Sequence, residues 1–126
     1  MFDGGRRSRE LQRARSDREA TVAEIDALRD RIANEVWAAY SRVKTARRQQ
    51  EAAAALLVSA EQSYDAAREA YRFGVRNLLD VVAAQKALAQ ARTEDVNARV
   101  QLLLQIASLA FRTADLMTAR PPGTHP

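Results

Sequence analysis

Cysteine is absent from the 126 residues, so the chain has neither a disulfide framework nor a cysteine–zinc site. That absence is compatible with an oxidising compartment. Histidine occurs once, at His125, which leaves no basis for a histidine-centred triad or metal cluster. There are four glycines, and Gly74 stands alone between Gly5 and Gly123, so no glycine-rich loop can cradle a phosphate. The longest apolar run, Ala52 to Val58, is far short of the roughly 18 to 20 residues of a membrane-spanning helix. The first twenty residues are polar and charged with no apolar core, so no signal peptide is visible. Carboxylates are plentiful, but they stand at helical spacing beside arginines, as surface pairs do. No catalytic residue, metal ligand or cofactor is expected, and the chain does not read as an enzyme.

What remains is helix-forming sequence. Ala, Leu, Arg, Glu and Gln dominate, the composition of coiled coils and long helices. Only seven residues are aromatic, which suits thin helix–helix seams better than a thick core. The length allows one domain. Arginine supplies eighteen of the twenty basic residues and the net charge is +4. From Arg7 to Glu19 arginines alternate with Glu10, Asp17 and Glu19, as on a solvated helix. A nucleic-acid arm needs unopposed basic residues and usually stacking aromatics, so no nucleic-acid partner is expected.

From Val22 onward steps of three and four give Val22, Ile25, Arg29, Ile32, Val36, Ala39, Val43, Ala46, Gln50, Ala53, Leu57, Ala60, Tyr64, Ala67 and Tyr71. This sustained heptad pattern predicts coiled-coil packing. One heptad position is alanine from Ala39 to Ala67, which lets two helix axes approach closely. Leu28, Trp37, Tyr40 and Leu56 lie beside the stripe and give the helix a second apolar edge, so that it can touch two neighbours, as in a barrel of helices.

The stretch Tyr71 to Asp80, YRFGVRNLLD, interrupts the pattern. Gly74 suits the left-handed residue that ends a helix. Arg68 and Arg72 complement the carbonyl end of its dipole. Asn77 can cap a second helix, with Asp80 at the capping-box position. The expected architecture is all-α, a long antiparallel coiled-coil hairpin with helices over about 7–73 and 77–117. Residues 1–6, with Asp-Gly-Gly, read as a turn that leaves an earlier element. Residues 118–126, with Pro121 and Pro122, read as a disordered tail. The second helix shows a wide apolar face of Leu78, Val81, Val82, Leu88, Val96, Val100, Leu103, Ile106, Ala107 and Ala110. Paired back from the tip, Met117 reaches only the level of residue 33, and Arg7 to Ile32 has no partner within the chain.

These residues resemble a known family. MFDGGRR resembles the aromatic-x-Gly-Gly element that opens the long helix in the second half of TolC-type outer-membrane efflux proteins. Tyr71-x-x-Gly74 followed by Leu79-Asp80-Val81-Val82-Ala83-Ala84-Gln85 resembles that family's tip turn and returning helix. The likeness runs from Phe2 to about Leu116. It implies a piece of a homotrimeric α-barrel whose β-barrel strands are missing here, located in the cell outer membrane with a periplasmic helical portion. It implies a periplasmic adaptor protein and an inner-membrane pump as partners. Asp80 matches a pore-facing aspartate, and Tyr71 and Arg76 match residues that hold the tip closed. Gly74, Val75 and Arg76 match the tip where the adaptor docks. Ala83 stands where some members carry a second aspartate, which implies a weaker constriction. The region Leu109-Ala110-Phe111-Arg112 departs from the small residue and glycine common in the family.

Two other readings compete with an efflux or secretion channel piece: the hairpin of a periplasmic adaptor, which β-rich sequence would flank, and a free-standing coiled-coil scaffold. The unpartnered stretch separates a lone hairpin from an assembling one. The purified chain is expected to be highly helical and self-associating by light scattering. A stable, compact monomer would contradict the unpaired segment.

Overall fold

The computed structural model describes residues 3–118. Among these, two helices form a hairpin and no strand occurs: α1 covers Asp3–Arg72 and α2 covers Leu78–Thr118. The all-α hairpin of the sequence reading is therefore present, with small shifts at the helix ends. α1 starts at Asp3, so Gly4 and Gly5 are helical where a turn was expected. Glycine permits a turn but does not compel one, and two exposed glycines at a helix start cost little against the long run of helix formers behind them. Ser8 Oγ donates to the Gly5 carbonyl at 3.2 Å within that first stretch. Thr118 closes α2, its hydroxyl donating to the Asp115 carbonyl at 2.9 Å. The tail was expected from residue 118, but Thr118 still belongs to α2, and the rest of that expected tail, from residue 119 onward, lies outside the described residues.

The chain divides into two units. One is Ala39–Phe111, which holds the turn, and the other combines the chain up to Ala38 with the chain from Arg112. Within the first unit the α1 stripe is buried as its spacing predicts. Ala39, Ala46 and Ala67 are buried, and Val43, Gln50, Ala53, Leu57, Ala60 and Tyr64 are partly buried. On α2 the seam runs Val81, Ala84, Leu88, Ala91, Asp95, Ala98, Leu102, Gln105 and Leu109, again in steps of three and four. Counting equal numbers of residues away from Gly74 pairs the two stripes. On that count Ala67 stands level with Val81, Tyr64 with Ala84, Ala60 with Leu88, Leu57 with Ala91, Ala53 with Asp95, Gln50 with Ala98 and Ala46 with Leu102. Each of these layers sets one alanine against one other residue, usually a larger one, so the axes can close up without a void. Surface grooves show the same register: Ala60 and Ser63 line one with Ala87 and Ala91, and Ala46 and Gln49 line another with Gln101 and Gln105.

The wide apolar face expected on α2 is mostly not the seam. Of its ten residues only Val81 and Leu88 turn inward, and the other eight are exposed. The seam instead adds three alanines, Leu102, Leu109, Asp95 and Gln105, because the turn fixes which residues face α1 whatever their hydrophobicity.

In the other unit Glu35 and Arg112 form an ion pair at 2.7 Å, beside partly buried Ile32, Val36 and Leu116. Both partners are about half accessible, so the pair contributes no more than about 1 kcal/mol. Residues 4–31 are all exposed, Leu11, Val22, Ile25 and Leu28 among them, as the unpartnered stretch requires.

α1 ends in a six-residue cap. Val75 N–H donates to the Ala70 carbonyl at 2.9 Å and Gly74 N–H to the Tyr71 carbonyl at 3.0 Å, the bond pair of a Schellman motif, with Gly74 at φ 75°. Open space surrounds the position where a Gly74 Cβ would stand, so only the backbone angle opposes a side chain there. Gly74→Val is expected to lower the melting temperature by several degrees, the equivalent of about 1 to 2 kcal/mol, and Gly74→Asn by clearly less. Equal, negligible shifts for both in a thermal melt would show that the left-handed residue does not matter.

Candidate functional site

The tip gathers several large apolar side chains in the open within a few residues of one turn. Phe73 and Val75 are almost fully exposed at 78% and 77%, and Leu79 follows at 75%. Tyr71 and Leu78 are also exposed. A coiled coil has nothing to pack against such residues beyond its last layer, and the Schellman turn, closed by the N–H groups of Phe73, Gly74, Val75 and Arg76, holds them outward. Arg72 and Arg76 are interleaved with them. Arg72 pairs with Glu69 at 3.4 Å, and the Arg76 N–H donates to the Ala70 carbonyl at 3.3 Å.

Tyr71 continues the seam by spacing but not in space. At 46% exposure it lies beyond the last closed layer, Ala67 with Val81, and its carbonyl serves the Gly74 N–H. Asn77 caps α2 as expected, its Oδ1 accepting the Asp80 N–H at 3.1 Å. Asp80 stands in the first turn of α2, where its charge favours the helix dipole, and its side chain is exposed. The structure thus gathers Tyr71, Gly74, Val75, Arg76 and Asp80 at one end of the hairpin, along with Phe73, Leu78 and Leu79. Leu78 and Leu79 were named in the sequence reading, on the second helix's apolar face and in the tip motif, but Phe73 was not singled out. Its signal was available: a large apolar side chain at the turn, off the heptad stripe.

Chemically the tip offers exposed apolar groups, arginines and one carboxylate. Among the described residues no group of three or more His, Asp or Glu side chains could hold a metal ion. The apolar patch with interleaved arginines can dock another protein, and the exposed Asp80 carboxylate can face copies of itself.

A second surface lies away from the seam on α2. Val82, Ala89, Val96, Val100, Leu103, Ala107 and Ala110 are all exposed, and from Val96 they follow steps of four and three. That is a second coiled-coil stripe on the side away from α1. Among the described residues no helix is long and apolar enough to cross a membrane.

Comparison with known proteins adds one match. The sequence model of a family described as "Outer membrane efflux protein" matches residues 1–114. No curated protein and no solved structure matches the chain.

The Asn77 cap is the contact that shapes the tip on its α2 side. Asn77→Ala is expected to cost about 1 kcal/mol and to speed hydrogen exchange at the Asp80 amide. Unchanged exchange there would show that the amide does not depend on the cap.

Proposed function

The chain belongs to the outer membrane efflux protein family, and from that premise we propose that it forms part of the periplasmic tunnel of an outer-membrane channel, with Tyr71 to Asp80 at the tunnel's mouth. The family is one of outer-membrane efflux channels, and a transport role rather than an enzymatic one follows from it at that level. The finer reading has the hairpin assemble as a homotrimer with further helices, its tip serving both as gate and as the docking point of a periplasmic adaptor that links it to an inner-membrane pump. The chain's place is then the outer membrane, with these helices in the periplasm.

The observation that carries this reading is the second exposed stripe on α2. A hairpin that needed only itself would present one apolar face per helix. Here α2 has one stripe against α1 and another facing away, and a helix with two stripes fits between two neighbours, as the wall of a helical tunnel demands. The exposed stretch of residues 4–31 asks for further helices in the same way.

At the tip, Gly74, Val75 and Arg76 form the adaptor contact, extended by the exposed Phe73 and Leu79. Tyr71 and Arg76 stand clear of the hairpin's own seam, so both are available to bond a neighbouring helix and hold the mouth closed. Asp80 is exposed for the same reason, and three copies around an axis would place three carboxylates together. Their mutual repulsion falls when a cation binds, so the ring should draw cations into the mouth. Ala83 adds no second ring.

Conductance measures this directly. In a reconstituted channel that contains this hairpin, multivalent cations added from the periplasmic side are expected to block the current. Asp80→Ala should relieve most of that block, whereas neutralising Asp65, well back from the tip on α1, should not. Equal block in the natural and Asp80→Ala channels would remove Asp80 from the mouth.

A further inference from the structure

The seam has one layer that is chemically out of place. Asp95 is 4% exposed, the only charged residue among those the structure buries, and it occupies a seam position opposite Ala53. Its Oδ2 takes the Arg99 guanidinium at 3.0 Å, four residues along the same helix, while its Oδ1 is buried without a hydrogen-bond partner. Arg99 is 61% exposed, so the bridge leads out of the seam toward solvent and ties Asp95 to its own helix, not to α1. The next layer pairs Gln50 with Ala98, again polar against alanine. On the tip side stand the apolar layers Leu57 with Ala91 and Ala60 with Leu88, and away from the tip stands Ala46 with Leu102.

We propose that the Asp95 level is the hairpin's built-in point of give, a soft layer at which α1 and α2 part while the layers on either side stay zipped. The physical reason lies in what the layer gains on closing. An alanine against a leucine removes apolar surface from water. An alanine against a carboxylate removes a charge from water, and one of its oxygens finds no donor in return. Opening this level rehydrates Oδ1 and gives up little apolar burial, so it costs less than opening any neighbouring layer. The Arg99 bridge survives the opening because both partners ride on α2. The turns of α1 and α2 at this level, no longer held across the seam, then open locally more readily than their neighbours, and the tip can tilt on the rest of the hairpin there. The idea does not depend on the tunnel reading, because the test is made on the chain itself and its outcome leaves the Asp80 block experiment untouched.

Native-state hydrogen exchange with thermal melting tests it, at fixed protein concentration because association shifts the melt. In the natural chain the amides of residues 50–54 and 95–99 are expected to exchange faster, by about tenfold, than those of the Ala60–Leu88 layer and those of the Ala46–Leu102 layer. Asp95→Leu should even out that profile and raise the melting temperature by about 3 °C or more, since an apolar residue of similar size replaces a poorly compensated buried charge. Arg99→Ala strips the carboxylate of its one partner and should deepen the fast-exchanging window while lowering the melt. A flat profile in the natural chain overturns the proposal. So does Asp95→Leu melting at or below the natural temperature, or Arg99→Ala leaving the window unchanged.

Discussion

The structure depends on close approach of two helices across a seam in which alanine meets a larger side chain. Ala39, Ala46, Ala53, Ala60 and Ala67 recur at one heptad position of α1, and Ala84, Ala91 and Ala98 recur on α2. Neither set could be enlarged without forcing the axes apart. A leucine at Ala60 would meet Leu88, and overpacking of that kind costs about 1 to 3 kcal/mol. The seam is narrow as a result. It buries little per layer, and much of each helix remains available to other partners. Thin packing within the chain and apolar surface left over for assembly are two consequences of one choice of residue.

Gly74 sets the register on which this alternation relies. Its left-handed backbone allows the two bonds that close α1, and α2 starts three residues after the cap's Val75. The layers fall symmetrically about it, so a single added or lost residue in the turn would move every α2 side chain off its alanine. The same turn exposes Phe73, Val75 and Leu79. The constraint that zips the hairpin also sets out the exposed apolar tip that the proposed docking would use.

The α1 seam was legible in the sequence because alanine repeats there at a spacing that only a coiled coil explains. From Ile32 to Ala67 every position of that stripe is buried or partly buried. The turn was legible too, since Gly74 and Asn77 are the residues a helix end and a helix start require. The α2 seam was not. Hydrophobicity alone points to Val96, Val100, Leu103 and Ile106, which are exposed, and away from Asp95 and Gln105, which face α1. A helix that serves two interfaces carries two stripes, and the more apolar one need not be the one its own chain covers. At the start of α1, Gly4 and Gly5 suggested a turn, but exposed glycines follow the helix that their neighbours propagate. The proposed roles of Tyr71, Arg76 and Asp80 at a gate lie beyond any single chain, because they rest on helices that only an assembly would supply.

In the proposed tunnel, copies of this tip converge around one axis. Cysteine cross-linking reads that convergence most directly, in outer membranes that carry the assembled protein. With Asp80→Cys and a short bis-maleimide, the account predicts covalent products of up to three copies, and none from Ser59→Cys further back on α1. If Asp80→Cys yields only single-copy protein with short and long linkers alike, the tips do not meet, and the tunnel-mouth account is contradicted.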